Sequence, residues 1–277
     1  MTRHILPILL SGAAISLSAC GGATTGGANG ESISLGPTQS LSARSFVQGA
    51  DTLDYSPGAR NAELGGFVVS DIDNDALVER GAAGVYSDEN DLFKSTIAEN
   101  SSVYAVVSAT DGVTPDVAGG AYGRFGASGI PISGQARFDG DYAGMVIEDH
   151  TASSQSVPLL LTGDASVTVD FTNDRIAGSI TDRRAYFPNG DRNGAYAVND
   201  VGIQTGTVDT GGAFSTTASG GALVTSGQSW STSNGTVNGV IGGADGDSAA
   251  GVVFLRHSLQ GSNTVFAERG SFVAERD

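Results

Sequence analysis

The sequence predicts an all-β protein whose second half is an antiparallel barrel or sandwich, with the barrel favoured. Apolar and glycine residues alternate with polar ones at period 2 over several separate runs, the spacing that buries one face of a strand. Short turns rich in Asn, Asp and Gly join those runs at regular intervals. No stretch keeps apolar residues at i, i+3, i+4 and i+7 for three turns, so crossover helices of the kind a parallel sheet requires are not expected. Closure is favoured because it removes free sheet edges, which would otherwise pair with other chains.

Arg3 and His4 precede an uncharged, largely apolar run from Ile5 to Leu17, which ends in Leu17-Ser18-Ala19-Cys20. A basic start, a short apolar stretch and small residues at the cut are the layout of a secretory signal. The run falls short of the roughly 20 residues needed to span a bilayer. Cys20 is the only cysteine in the chain, placed where its thiol would accept a diacylglycerol before cleavage. Residues 1–19 are therefore expected to be a lipoprotein signal peptide and Cys20 the lipidation site. The rival reading, a cleaved signal with a coincidental cysteine, leaves that placement unexplained. Gly21, not the Asp associated with inner-membrane retention, follows it, which points to the outer membrane.

Loss of residues 1–19 would remove Arg3, one of 14 basic residues, and none of the 30 acidic ones, taking the formal net charge from −16 to −17. So acidic a chain repels phosphate backbones, and no nucleic-acid partner is expected. A single cysteine allows no internal disulfide, so stability must come from burial and backbone pairing. Gly accounts for 41 residues. They interleave with Val, Ile, Phe and Tyr, which separates a glycine-rich sheet from a disordered tract.

Residues 21–40 carry Gly, Ser and Thr with almost no apolar side chains, and the segment 20–45 is expected to be a flexible tether from the lipid. A smaller β-rich region is expected over 46–130. Leu64 to Val69 and Ser102 to Val107 are its clearest strand runs, and Asp88 to Lys94 is either a helical turn or a loop.

The strongest pattern begins near Gln135. Phe138, Gly140, Tyr142, Gly144 and Val146 alternate with Arg137, Asp139, Asp141, Ala143 and Met145. Aromatic residues alternating with glycine on one face suit a curved sheet, in which glycine lets the backbone bend and neighbours fill the gap. Val167, Val169 and Phe171 form a second such face, and Ile176, Gly178 and Ile180 a third, joined by the turn Thr172-Asn173-Asp174-Arg175. Val237, Gly239 and Ile241 repeat the pattern before a turn at Ala244 to Asp247. Two further strands follow, over Gly251 to Leu255 and Val265 to Ala274.

On these residues the C-terminal half resembles the barrel domain of the transferrin-binding protein B-like lipoprotein family. That family has a strand of form G-x-Y-x-G, here Gly140-Asp141-Tyr142-Ala143-Gly144. A strand ending in T-apolar-D-F follows, here Gly163 to Phe171, and then apolar-x-G-x-I, here Ile176-Ala177-Gly178-Ser179-Ile180. Gly235 to Phe254 matches the family's Gly-rich hairpin, and Gly270 to Arg276 its closing G-x-F-x-x-x-R. The resemblance implies an eight-stranded antiparallel β-barrel over 131–277, preceded by a handle-like region over 46–130, on a lipid-anchored outer-membrane protein. The family commonly carries two such lobes, and this chain has length for one.

Signs of catalysis are sparse. Beyond the signal only His150 and His257 remain, and neither G-x-S-x-G nor H-E-x-x-H occurs. His150 reads as a solvated turn residue and His257 as a polar strand end. Asp139 and Asp141 share a face about 7 Å apart, but no aromatic sugar platform accompanies them. Asn189 to Asp200 partly imitates a calcium loop, yet Arg192 sits inside it, and a Pro188-Asn189-Gly190 turn explains the same residues. Asp71 to Asp75 is a weaker imitation. No enzyme activity, metal or cofactor is expected. Trp230, in a polar stretch from Ser226 to Asn234 read as a loop, is the candidate partner-binding residue if exposed and a barrel-plug residue if buried. The expected role is that of a surface-exposed outer-membrane lipoprotein binding a protein or an iron- or haem-bearing solute, with a TonB-dependent receptor as a candidate partner. The alternatives are a periplasm-facing structural lipoprotein and, remotely, a secreted hydrolase.

Overall fold

The structure is a computed structural model that describes residues 53–56, 61–64, 67–69, 85–89, 93–110, 118–125, 129–148, 159–187, 190–225, 227–259 and 265–277. Cys20, the signal and tether, Asp71 to Asp75 and His150 lie outside the described residues, as does Asn189 of the calcium-like loop. Every regular element described is a strand.

β1 (Leu53–Ser56), β2 (Asn61–Leu64) and β3 (Phe67–Val69) form a three-stranded antiparallel sheet. The apolar run expected as one strand from Leu64 to Val69 turns back on itself, and Leu64 pairs with Phe67. A four-stranded antiparallel meander follows, made of β4 (Val85–Glu89), β5 (Phe93–Glu99), β6 (Val103–Thr110) and β7 (Ala118–Arg124). Asp88 and Lys94 belong to the paired strands β4 and β5, with Glu89 opposite Lys94. The helical-turn alternative for this stretch is therefore corrected to a hairpin.

The remaining strands are β8 (Gln135–Glu148), β9 (Leu159–Asp170), β10 (Arg175–Tyr186), β11 (Ala197–Val198), β12 (Val201–Val208), β13 (Ala213–Gly220), β14 (Leu223–Thr225), β15 (Gln228–Gly242), β16 (Ser248–Leu259) and β17 (Val265–Arg276). Eight of them run in the order β15-β13-β12-β10-β9-β8-β17-β16, and pairing of β16 with β15 closes the ring. The choice between barrel and sandwich is thus settled as a closed antiparallel barrel. β11 and β14 form a small ribbon that extends the ladder alongside the start of β15.

Period 2 places Phe138, Tyr142 and Val146 of β8 inside the barrel, with Val167, Ile180, Val253 and Phe272. The opposite face of β8 changes along its length. Arg137 is exposed and Asp139 half-buried, whereas Ala143 and Met145 are fully buried. Those two pack beneath the four-stranded sheet, whose Ala98, Val103, Ala105 and Val107 join Val240, Val252, Phe254 and Val273 of the barrel's outer surface in a second core. Polar contacts fix this seam: the Arg124 Nη1 donates to the Ile241 carbonyl at 3.1 Å, and the Asn100 amide donates to Ser248 Oγ and Glu275 Oε1, each at 3.3 Å.

The two barrel ends differ. At one, successive strands join through tight turns at Phe171–Asp174, Asp209–Gly212 and Gly243–Asp247. Asp170 braces the first by accepting from the backbone of Thr172 at 3.0 Å and Asn173 at 3.1 Å, which holds Asp174 in the left-handed region at φ 53. The segment from Gly129 to Gly134 crosses this end, tied by Gly129 N to the Gly243 carbonyl at 3.1 Å and Phe171 N to the Gly134 carbonyl at 2.9 Å. At the other end β8, β10 and β13 pass to their successors through longer connections, the second carrying β11 and the third β14, while β16 reaches β17 through a short one.

Candidate functional site

Inside the barrel, four polar side chains from four strands meet. Tyr142 comes from β8, Arg183 from β10, His257 from β16 and Glu268 from β17. The Tyr142 hydroxyl donates to Glu268 Oε1 at 2.6 Å, and the Arg183 Nη2 donates to the same oxygen. His257 Nε2 lies 2.8 Å from Glu268 Oε2. An ionised carboxylate only accepts, so Nε2 carries the hydrogen. Arg183 also donates from Nη1 to the Asn199 carbonyl at 2.7 Å, and its guanidinium carbon sits 5.9 Å from the Tyr142 ring centre. Neither the Arg183 nor the His257 side chain, nor that of Glu268, has exposed surface.

Burial alone would push the Glu268 carboxyl up. The Arg183 charge, the His257 hydrogen bond and the Tyr142 hydroxyl outweigh it and hold the carboxyl at about 2, below the 4.5 of a free glutamate. Burial and the nearby Glu268 charge raise the Tyr142 phenol well above its ordinary value. Burial would lower the Arg183 guanidinium, but Glu268 and Tyr142 more than compensate and raise it. The result is a neutral pair at the centre of the barrel with its hydrogen bonds largely met. Carboxylate, imidazole and phenol in contact are the ingredients of acid–base chemistry, but in this packing none presents surface to a substrate. They act as the barrel's polar core.

Reading His257 as a strand-end residue is corrected by this geometry: it projects inward from β16 and is fully buried. Parity carried the signal, since His257 shares a face with Val253 and Leu255, and Glu268 with Phe272. Arg183 gave no such signal. Continuing the alternation of Ile176, Gly178 and Ile180 would turn Asp182 inward and Arg183 outward. A bulge between Thr181 and Arg184, with Asp182 at φ 47, reverses the parity. Arg183 is thereby delivered to the core, and Asp182 is left outside to accept from Arg184 at 2.6 Å.

Trp230 lies in strand β15, opposite Leu223 of β14 and Leu259 of β16. The stretch from Ser226 to Asn234, expected as a loop, is strand from Gln228 onward. Trp230 is only 7% exposed and meets Phe266 edge-on, with centroids 4.4 Å apart at 79°. The partner-binding role thus cannot rest on a protruding indole. Instead, Trp230 and Phe266 line a cavity of about 340 Å³ at the barrel end with the longer connections, together with Val146, Leu159, Phe187, Asn193, Ala195, Tyr196 and Leu223. A second cavity, of about 210 Å³, lies at the tight-turn end beside Ile130, Pro131 and Ile132. Among the described residues no group of three or more His, Cys, Asp or Glu side chains is placed to hold a metal ion. Asp139, one of the paired carboxylates, accepts from the Arg137 Nε at 2.8 Å on the barrel's outside.

These features define a closed antiparallel β-barrel with a small sheet docked on its outer wall, a sealed polar centre and a cavity at each end. No family model matches the chain, and no curated protein matches it. Among solved structures it is similar to transferrin binding protein B from serogroup B Neisseria meningitidis, with 16% identity and a TM-score of 0.45 over 82% of this chain and 40% of that one. It is also similar to intact Ap-TbpB with its N and C lobes, at 13% identity and a TM-score of 0.41 over 81% of this chain and 43% of that one. A third similarity is to the Trp-176-Ala mutant of the Haemophilus parasuis Hp5 protein, at 10% identity and a TM-score of 0.41 over 81% of this chain and 42% of that one. The chain spans less than half the length of each of these structures.

Proposed function

We propose that this chain is a lipid-anchored outer-membrane binding module that engages a protein, or an iron- or haem-bearing solute, through the barrel end bearing the longer connections. The observation that carries this reading is the asymmetry of the barrel. One end is crossed by tight turns and the segment Gly129 to Gly134, beside a cavity of about 210 Å³, whereas the other carries the longer connections and the Trp230 cavity of about 340 Å³. Ligand sites of small barrels lie at such mouths, where a rigid wall supports variable connections. The Leu17-Ser18-Ala19-Cys20 sequence and the glycine-rich stretch after it supply the anchor and the reach. Residues 46–130 would form a handle-like unit before the barrel at 131–277. A TonB-dependent receptor is the proposed partner for passing a captured solute inward.

Three measurements test this. Cys20→Ser should move the protein from the membrane fraction to the soluble one. Protease added to intact cells should cleave it, and the purified protein should retain a serum protein, an iron-loaded carrier or haem on a column. Cleavage only after the outer membrane is opened, with nothing retained, would refute the binding role in favour of a structural envelope lipoprotein.

A further inference from the structure

We propose that the Trp230 cavity is a binding site for a small, neutral, mainly aromatic molecule carrying one hydrogen-bond acceptor. A volume of about 340 Å³ lies within the range of small-ligand pockets, about 300–1,000 Å³. Its walls are chiefly apolar, and the edge-on pair Trp230 and Phe266 offers ring surfaces against which a flat group stacks. None of the described lining residues is charged. Among the described lining residues an anion meets no cation, with a protein of net charge −16 around it, and a cation meets no carboxylate. The fitting ligand is therefore uncharged.

Asn193 sets the polar requirement. It is 5% exposed, and its backbone is held at both ends, N donating to the Ala185 carbonyl at 2.8 Å and O accepting from Tyr196 N at 3.4 Å. Its Oδ1 accepts from Ala195 N at 3.1 Å, so the amide is oriented, and the Nδ2 hydrogens have no partner among the described residues. An oriented amide donor that opens on an apolar cavity is placed to meet an acceptor from a ligand. Tyr196 is half-buried on the same lining, and Phe187, 41% exposed, stands at the mouth. This site rests on the reading of this barrel end as the binding mouth, but protein retention and small-molecule quenching are read separately, so the failure of one is distinguishable from the failure of the other.

Trp230 is the only tryptophan in the chain, so its emission reports on the cavity alone. The test titrates the full chain in detergent with 4-nitrobenzyl alcohol, a neutral one-ring quencher with acceptor oxygens, correcting for its absorbance. The expected result is saturable quenching. Ala195→Phe, which adds a ring from an exposed position on the lining, should weaken it by about tenfold or more with an unchanged far-ultraviolet circular dichroism spectrum. Asn193→Leu should weaken it severalfold, and Ile132→Ser at the opposite barrel end should leave it unchanged. Quenching that rises linearly without saturating, or that saturates equally in Ala195→Phe, would overturn the proposal.

Discussion

Glu268 and His257 face each other inside the barrel, carboxylate to imidazole at 2.8 Å, with no exposed side-chain surface on either. They are diagonal neighbours on adjacent strands, since His257 pairs directly with Phe266 and Glu268 lies two residues on. With Tyr142 and Arg183 they link β8, β10, β16 and β17 at a single carboxylate. A one-residue slip of β17 would carry Glu268 to the outer wall and leave Arg183 buried without its partner. Replacing a buried ion pair by apolar residues is often neutral or better, so the cluster is weak as a source of stability. Its consequence here is registration: four strands must be in step for the bonds to form.

Glu268→Gln keeps the shape and removes the charge, leaving the Arg183 guanidinium uncompensated in the core. The expected loss is about 3–5 kcal/mol in urea unfolding. Adding Arg183→Met should recover a large part of it, because the second change removes the stranded charge. Equal and additive losses would show that the two side chains are not coupled.

The same carboxylate gives the barrel a signature in acid. Its folded value of about 2 lies below the unfolded 4.5. The stability it lends is therefore present above about 4.5 and lost as pH falls from there through about 2. Urea midpoints measured across that window should drop steeply for the native chain. In Glu268→Gln this component of the slope should be absent, with the parallel titration of exposed carboxylates remaining.

The glycines around Tyr142 have a steric role that a variant can expose. Gly144 and Gly270 are paired across β8 and β17, and the Tyr142 ring lies over both. A Cβ at Gly144 would stand 2.5 Å from the Tyr142 hydroxyl oxygen, and one at Gly270 closer still. Gly270→Ala should therefore displace the ring, break its bond to Glu268 and cost about 1–3 kcal/mol, as overpacked cores do. Combining it with Tyr142→Leu should cost less than the two changes added together, read as a non-additive thermal midpoint.

This arrangement shows why much of the barrel was legible. Alternation of Phe138, Gly140, Tyr142, Gly144 and Val146 marks a strand whose inner face is ring and void in turn, and that strand is β8. The turn at Thr172 to Asp174 was readable because Asp170 and Asn173 carry its hydrogen bonds locally. What escaped depended on irregularity or on distant partners. The bulge at Asp182 reverses parity without any glycine or proline to announce it. Trp230 sits in a Ser- and Thr-rich stretch that looks like loop, and becomes strand because β14 and β16 pair on either side. The cluster around Glu268 joins residues up to 126 positions apart, beyond the reach of any local pattern.

Met145 and Asp139 lie on the same face of β8, and period 2 alone would treat them alike. Met145 is fully buried beneath the four-stranded sheet, while Asp139 keeps solvent and accepts from Arg137 at 2.8 Å. Met145→Asp would place an unpaired carboxylate in the seam between sheet and barrel. It should therefore destabilise the protein by about 3 kcal/mol or more. It should also raise amide exchange in β6, whose Val103, Ala105 and Val107 share that core. Asp139→Asn removes only a solvent-screened pair and should leave the urea midpoint where it was. If the two variants behaved alike, the sheet would not be covering the barrel wall, and the second core would have to be withdrawn.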